Sequence, residues 1–342
     1  MDLLPSEEQL EIVAAAEDFV SSRMPSTDIR LRRTEASAID ADVWREGAEL
    51  GLLTLGLDEA SGGAGLKLDD EVLMFAALAR NLATGPFLAS TLAARVAAHC
   101  GDARLSKLIG AGDAMVGLAE PRGDAAIGPD GFKGAFDLLD CAGATHALAV
   151  SEHGAALLEL SEFGDITTVE SVDPGTRLGA ATVVAGTVLH WLPADVESIW
   201  DRAVLLTTAG LAGLAEATTA TSTLHAKTRV QFGRPIGVNQ AIKHACADMA
   251  VGADAAISQT LFAAVCLQSG RPDARFQLLA AKSVASRAAI ANAEANIHIH
   301  GGMGYTYEHD AHLYLKRAHV LNQLFGEPNA VLADLLAQEP AQ

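Results

Sequence analysis

Thr228-Arg229-Val230-Gln231-Phe232-Gly233-Arg234-Pro235-Ile236-Gly237, followed by Gln240 and by Ala247-Asp248-Met249, organises the reading of the whole chain. No proline lies between Pro193 and Pro235, and none between Pro235 and Pro272. Asp195 to Thr228 and Val238 to Leu267 therefore read as long helices, with the quoted stretch as the turn between them. Pro272 to Ile299 reads as a third. It runs into a second stretch, His300-Gly301-Gly302-Met303-Gly304-Tyr305-Thr306-Tyr307-Glu308-His309-Asp310, which continues to Leu313-Tyr314-Leu315-Lys316-Arg317-Ala318. A shorter helix is predicted after Gly304, ending near Gly326-Glu327-Pro328.

Outward from there, the chain changes character twice. Ser6 and Gln9 make a capping-box pattern, and Ile12, Val13, Ala16, Phe19 and Val20 recur at helical spacing. Further helices are predicted over Trp44 to Leu53, Val72 to Leu82 and Leu88 to Ala98. The loop Ser61-Gly62-Gly63-Ala64-Gly65 and the turn Thr84-Gly85-Pro86 separate them. From Met115 to Leu192 the runs are short and rich in Thr and Val, which predicts a small antiparallel sheet. The expected fold is mainly α with a central β domain: a helical domain over 1–112, a β domain over 113–194, and a C-terminal helical domain over 195–342.

Composition agrees. Of 342 residues, 50% are hydrophobic and only 5% aromatic, so Ala, Leu and Val carry the core, as closely packed helices require. The 43 acids against 24 bases give a net charge of −19, a mean field that repels nucleic acid and anionic membrane surfaces. A local basic site stays compatible with that field. Cys100, Cys141, Cys246 and Cys266 form no CxxC and read as reduced thiols, which predicts a cytoplasmic protein. The N-terminal MDLLPSEEQLEI has acids where a signal peptide carries bases. The apolar runs read as too short and interrupted for a membrane span.

The two quoted stretches suit an anionic dinucleotide. Arg229, at a helix end beside a turn, can pair bidentately with a pyrophosphate. Gln240, eleven residues on, offers a donor and an acceptor to an adenosine or ribose edge. Gly301, Gly302 and Gly304 let a backbone approach closely with N–H groups turned to phosphates. The plainer alternative is a C-terminal helix cation and an ordinary glycine turn.

Together, Arg-x-x-Phe-Gly…Gln and His-Gly-Gly-x-Gly resemble the acyl-CoA dehydrogenase family, and the order helical, β, helical resembles its fold. The resemblance implies a C-terminal four-helix bundle, FAD as cofactor, an acyl-CoA substrate and electron-transfer flavoprotein as electron acceptor. It implies that Arg229, Phe232, Gln240 and Gly301, Gly302 and Gly304 contact the FAD of a neighbouring subunit. His298 stands where relatives carry a Gln near that FAD. The other histidines fall in a motif that binds no metal in the family.

The chain departs from the family elsewhere. Aligned without gaps from His300, the usual catalytic Glu position is Phe325, which accepts no proton. Glu327 lies about 200° further around a helix. The alternative family position for the base, on the helix before the Arg motif, is Ala203. Asp201 and Glu216 are the nearest acids, both expected on a solvated helix face, and Glu308 and Asp310 are expected to be structural. The family's Thr-Glu-Pro…Gly-Ser-Asp and Trp-Ile-Thr/Ser flavin segments reduce to Ala119-Glu120-Pro121-Arg122-Gly123-Asp124 and Phe136-Asp137-Leu138-Leu139-Asp140. What a subunit gives to its neighbour's FAD is kept, and what it needs for its own is lost. That asymmetry resembles the small non-catalytic subunit of bacterial heteromeric acyl-CoA dehydrogenases acting on steroids or dicarboxylates. It implies a larger, base-bearing partner in a heterotetramer. Two alternatives remain open: a homomeric dehydrogenase using Asp201 or Glu216, and a non-redox scaffold or acyl-CoA-binding relic.

Overall fold

The structure is a computed structural model that describes residues 4–339. Helices α1 (Glu7–Arg23), α2 (Ser26–Leu31), α3 (Ala41–Glu49), α4 (Leu68–Arg80), α5 (Phe87–His99) and α6 (Ala103–Gly110) come first. Strands β1 (Val116–Gly128), β2 (Gly131–Leu139), β3 (His146–Ser151), β4 (Gly154–Glu159), β5 (Thr167–Val169), β6 (Leu178–Gly186) and β7 (His190–Pro193) follow. Then come α7 (Ile199–Thr228), the short pair β8 (Val230–Gln231) and β9 (Arg234–Pro235), α8 (Gln240–Gln268), α9 (Ala274–His300), α10 (Ala311–Gln323) and α11 (Pro328–Ala337).

Local chemistry explains the helix starts. The Ser6 amide donates to Gln9 Oε1 at 2.9 Å and the Gln9 amide donates to Ser6 Oγ at 3.2 Å, the reciprocal bonds of a capping box. Asp40 and Asp102 accept from the first-turn amides of α3 and α6. The helix α11, absent from the sequence expectation, opens with Pro328 at its first turn. Pro there costs no hydrogen bond, so it starts a helix as readily as it stops one.

Contacts divide the chain into two compact units. One gathers Phe19–Glu71 and Thr84–Ala203 and contains the sheet, ordered β5-β6-β2-β1-β3-β4-β7. Its pairs are antiparallel except β1 with β3, where Val116, Gly117 and Leu118 lie parallel to His146, Ala147 and Leu148. The wholly antiparallel expectation is corrected at that pair. Phe132, Phe136 and Phe163 form its aromatic centre, with ring centroids 5.1–5.6 Å apart.

The other unit takes residues up to Asp18, Val72–Ala83 and those from Val204 onward. Here the Ala and Gly content acts directly. A Cβ on Gly213 of α7 would lie 2.2 Å from the Ala76 carbonyl oxygen of α4, so the two helices meet backbone to backbone. Buried amides tie the helices further. Asn292 Nδ2 donates to the Met249 carbonyl of α8 at 2.9 Å and to Thr219 Oγ1 of α7 at 3.1 Å.

Two helices, α7 and α8, are long and apolar enough to cross a membrane by length and composition, which corrects the sequence expectation. The cause is alanine, which raises hydropathy without bulk. The most apolar window of α7 is 83% buried within the protein, that of α8 only 39%. The four thiols are unpaired, and burial pushes the Cys141 thiol up to about 12.

Candidate functional site: one end of the C-terminal helices

Helix α7 ends at Thr228, and the Arg229 amide still donates to the His225 carbonyl at 2.8 Å. The chain then makes a two-residue hairpin between β8 and β9. Its turn residues, Phe232 and Gly233, have φ of +52° and +77°. Positive φ at both central positions is the I′ turn, whose twist suits a hairpin. Gly fits there without cost, but Phe in a left-handed conformation costs about 1–2 kcal/mol. The strained Phe232 ring is also fully exposed, at 101%. The turn is set down on α7: a Cβ on Gly237 would lie 2.9 Å from the Ala226 carbonyl oxygen. Gln240 opens α8, exposed, after an Asn239 cap position.

The second stretch begins where α9 ends. Gly301 has φ +61° and ψ −140°, a region essentially confined to glycine. Gly301 and Gly302 are exposed, with open space where a Cβ would be. Gly304 differs. It is buried, and its Cβ would lie 2.5 Å from the Ile297 carbonyl oxygen, so it folds the turn back onto α9. His298 is exposed two positions before His300.

The two stretches meet through histidine. The His225 ring of α7 stacks on the His300 ring of α9 with centroids 4.2 Å apart, and His300 stacks on His309 at 4.4 Å. Sequence reasoning missed this contact, because His225 lies 75 residues from His300. Arg229 and the glycine turn are thereby held at one end of the helices.

The Arg229 stretch is electrostatically unlike the rest of the chain. Between Glu216 and Asp248 there is no acid, while Lys227, Arg229, Arg234 and Lys243 are all exposed. The candidate donors Arg229, Phe232, Gln240, His298, Gly301 and Gly302 all face outward in this chain. Exposed cations and a backbone left open to close approach at Gly301 and Gly302 fit the pyrophosphate of a dinucleotide.

The positions for a base are closed. After α10, Phe325 adopts φ +56° and is 1% exposed, packed into its own helical unit. The buried Lys282 amine of α9 donates to the Leu321 and Leu324 carbonyls at 3.1 and 3.2 Å, capping the end of α10 beside it. The helix has ended here, so Glu327 stands at the residue before α11, exposed, with no capping bond from its side chain. Ala203 is fully buried. Glu216 is not on a solvated face as the sequence suggests. Arg80 Nη1 donates to it at 2.6 Å, and Arg80 Nε donates to Glu17 at 2.7 Å. Burial raises the Glu216 carboxyl above its ordinary value, and Arg80 opposes that shift. Asp201 is half-buried, and Glu308 is exposed.

The two altered flavin segments lie side by side on β1 and β2. Glu120 pairs with Asp137 and Arg122 with Ala135. Arg122 Nε donates to Asp137 Oδ2, a tight ion pair, and neither segment carries a hydroxyl. An isoalloxazine is a poor fit to that surface.

The Acyl-CoA dehydrogenase, N-terminal domain matches residues 6–107, and the Acyl-CoA dehydrogenase, C-terminal domain matches residues 201–339. Among curated proteins, the chain is 32% identical to acyl-CoA dehydrogenase IpdE2 of Mycobacterium tuberculosis, over 97% of the chain and 98% of that protein. It is also 32% identical to acyl-CoA dehydrogenase FadE34 of the same organism, over 84% of the chain but 41% of that longer protein. Among solved structures, the Tcur3481-Tcur3483 steroid ACAD G363A variant aligns with a TM-score of 0.83 at 26% identity, over 97% of this chain and 98% of that one. A chain of the ChsE4-ChsE5 complex from M. tuberculosis shares the fold at a TM-score of 0.84, 23% identity and complete coverage of both chains. With both ends matched and a relative aligned nearly end to end, the chain belongs to the acyl-CoA dehydrogenase family of FAD-dependent oxidoreductases.

Proposed function

We propose that this chain is a non-catalytic subunit of a heteromeric acyl-CoA dehydrogenase. Its partner is a larger subunit that supplies the base and the flavin segments of the sheet. FAD would supply the hydride acceptor for the β-carbon of the acyl chain, and a carboxylate of the partner would take the α-proton. This chain contributes to that FAD across the subunit boundary. Arg229 would pair with the pyrophosphate, the open backbone at Gly301 and Gly302 would let it approach closely, and Gly304 shapes their turn. Gln240 and His298 meet the adenosine side, and Phe232 is covered by the assembly. Electrons pass on to electron-transfer flavoprotein. The substrate class is a bulky, sterol-derived acyl-CoA, in keeping with the steroid acyl-CoA dehydrogenase among the similar structures. The assembly is a cytoplasmic heterotetramer, and each copy of this chain keeps the three-part division 1–112, 113–194 and 195–342.

One observation carries this reading: the donor set is outward-facing, its Arg229 stretch carries no acid between Glu216 and Asp248, and the base position is sealed by the buried Phe325. A homomeric enzyme using Glu216 is disfavoured, because that carboxylate is engaged by Arg80.

The test is a pair of purifications. Produced alone, the chain is expected to be colourless. Co-produced with a larger, Glu-bearing acyl-CoA dehydrogenase, it is expected to be yellow and active. A yellow, active homo-oligomer of this chain alone overturns the proposal. Flavin in neither preparation favours the scaffold.

A further inference from the structure

Three imidazoles from three segments touch in series at the end of the helices. His225 sits in the last turn of α7, one turn before Arg229. His300 is the last residue of α9, immediately before Gly301. His309 lies between the glycine turn and α10. The ring planes are tilted by 33° and 49°. Hydrogen bonds set two of the tautomers. His300 Nδ1 lies 2.8 Å from the Asn296 carbonyl oxygen, which only accepts, so Nδ1 carries the proton. The Ala311 amide donates to His309 Nδ1 at 3.1 Å, so that nitrogen is bare and Nε2 holds the proton of the neutral ring.

We propose that His225, His300 and His309 are positioning residues that hold Arg229 and the glycine turn in one frame for an anionic dinucleotide, and that protonation of the stack loosens this frame. The inference rests on the reading of that end as an FAD-donating surface.

The surroundings support the second half. The groups acting on His225 are His300, Arg229 and His309, and the ring acting on His300 is His309. Glu308 and Asp310 flank His309 in the chain. Burial first, then His300, Arg229 and His309, hold His225 below the ordinary imidazole value. Burial first, with His309 adding, does the same to His300, against the Asn296 bond that raises it. A second positive ring within 4.4 Å of the first repels it, so the stack loosens as protons bind.

His225 is the best position to test, because its ring joins the last turn of α7, beside Arg229, to the end of α9. In the complex with the larger subunit, flavin retention after desalting is measured at about pH 7.5 and about pH 5.5, on either side of the ordinary imidazole value. His225→Ala is expected to lose flavin about two- to tenfold faster at the higher pH, the range of an aromatic pair worth about 0.5–1.5 kcal/mol. His225→Phe keeps a ring without a charge. It is expected to retain flavin as the unaltered protein does at the higher pH and to lose less at the lower. Melting of the separate chain by circular dichroism verifies that both variants fold.

Unchanged retention in a folded His225→Ala, or an acid loss in His225→Phe as steep as in the unaltered protein, overturns the inference. Arg229→Ala separates the two claims. If Arg229→Ala keeps its flavin, the donor-surface reading itself fails. If Arg229→Ala releases flavin and His225→Ala does not, only the stack fails.

Discussion

Arg80 and Glu216 are joined at 2.6 Å across α4 and α7, with Glu17 on the other side of the guanidinium. The pair is asymmetric. Glu216 is held above its ordinary value by burial, so its charge is maintained against a desolvation cost that Arg80 offsets. Removing either partner therefore has unequal effects. Glu216→Gln is expected to cost under about 1 kcal/mol of stability, since the lost pairing is offset by lost desolvation. Arg80→Ala is expected to cost about 2 kcal/mol, because it leaves two carboxylates facing each other. Urea unfolding of the separate chain measures both, and equal losses would contradict this account.

Phe325 gives a second prediction. A Glu placed there does not regain a base, since the position points into the helical core. Phe325→Glu is expected to destabilise the chain by about 3 kcal/mol or more, through a charge and a polar group forced into a packed apolar position. The check is a thermal melt with a dehydrogenase assay on the chain alone. A stable, active Phe325→Glu protein would refute it.

Phe232 should respond with opposite signs in two assays. Phe232→Gly relieves the left-handed backbone and is expected to stabilise the separate chain by about 1 kcal/mol. The same change is expected to weaken association with the partner, because an aromatic side chain is lost from the contact. Denaturation of the chain and sedimentation of the complex test the two halves.

The glycines separate shape from approach. Gly304→Ala meets the Ile297 carbonyl oxygen and is expected to lower the melting temperature of the chain alone. Gly302→Ala meets nothing in this chain and is expected to leave that temperature within a degree or so, in line with an exposed site worth about 0.5 kcal/mol or less. Both are expected to lower flavin content in the complex.

Acid should unfold the chain in two steps. His146, His225 and His300 are held below the imidazole value of 6.5, chiefly by burial. The unfolded chain binds these protons first, so their stabilisation is full above pH 6.5 and is lost as pH falls below it. Asp40 and Asp102 are lowered, chiefly by bonds from backbone amides. Asp273 is lowered to about 2, chiefly by Arg271. These carboxylates stabilise above pH 3.8 and cease to as pH falls through their folded values. Melting temperature against pH is expected to fall first below 6.5 and again below 3.8.

Local chemistry was the legible part of the fold. Ser6 and Gln9 announce a capping box three residues apart, and the proline spacing brackets α7, α8 and α9 to within a few residues. What stayed hidden needs distant partners. The parallel pairing of Val116 with His146 joins residues 30 apart in sequence. Glu216 reads as a surface acid until Arg80 arrives from 136 residues earlier. The stack of His225 on His300 has no motif at all. At the site, the motifs pointed to Arg229 and the glycines. They did not distinguish the outward Gly301 and Gly302 from the packed Gly304, since that depends on where Ile297 sits.

The acid-free run between Glu216 and Asp248 has a consequence for self-association. In a protein of net charge −19, it makes the Arg229 stretch a cationic pole, with Lys227, Arg229, Arg234 and Lys243 exposed. Two identical copies brought together through that end set like pole against like pole, and elsewhere set acid against acid. A partner with an acidic or phosphate-bearing face is instead drawn to the pole and turned toward it before contact. The same stretch that attracts one companion thus discourages the chain from pairing with itself, and added salt should flatten both preferences together.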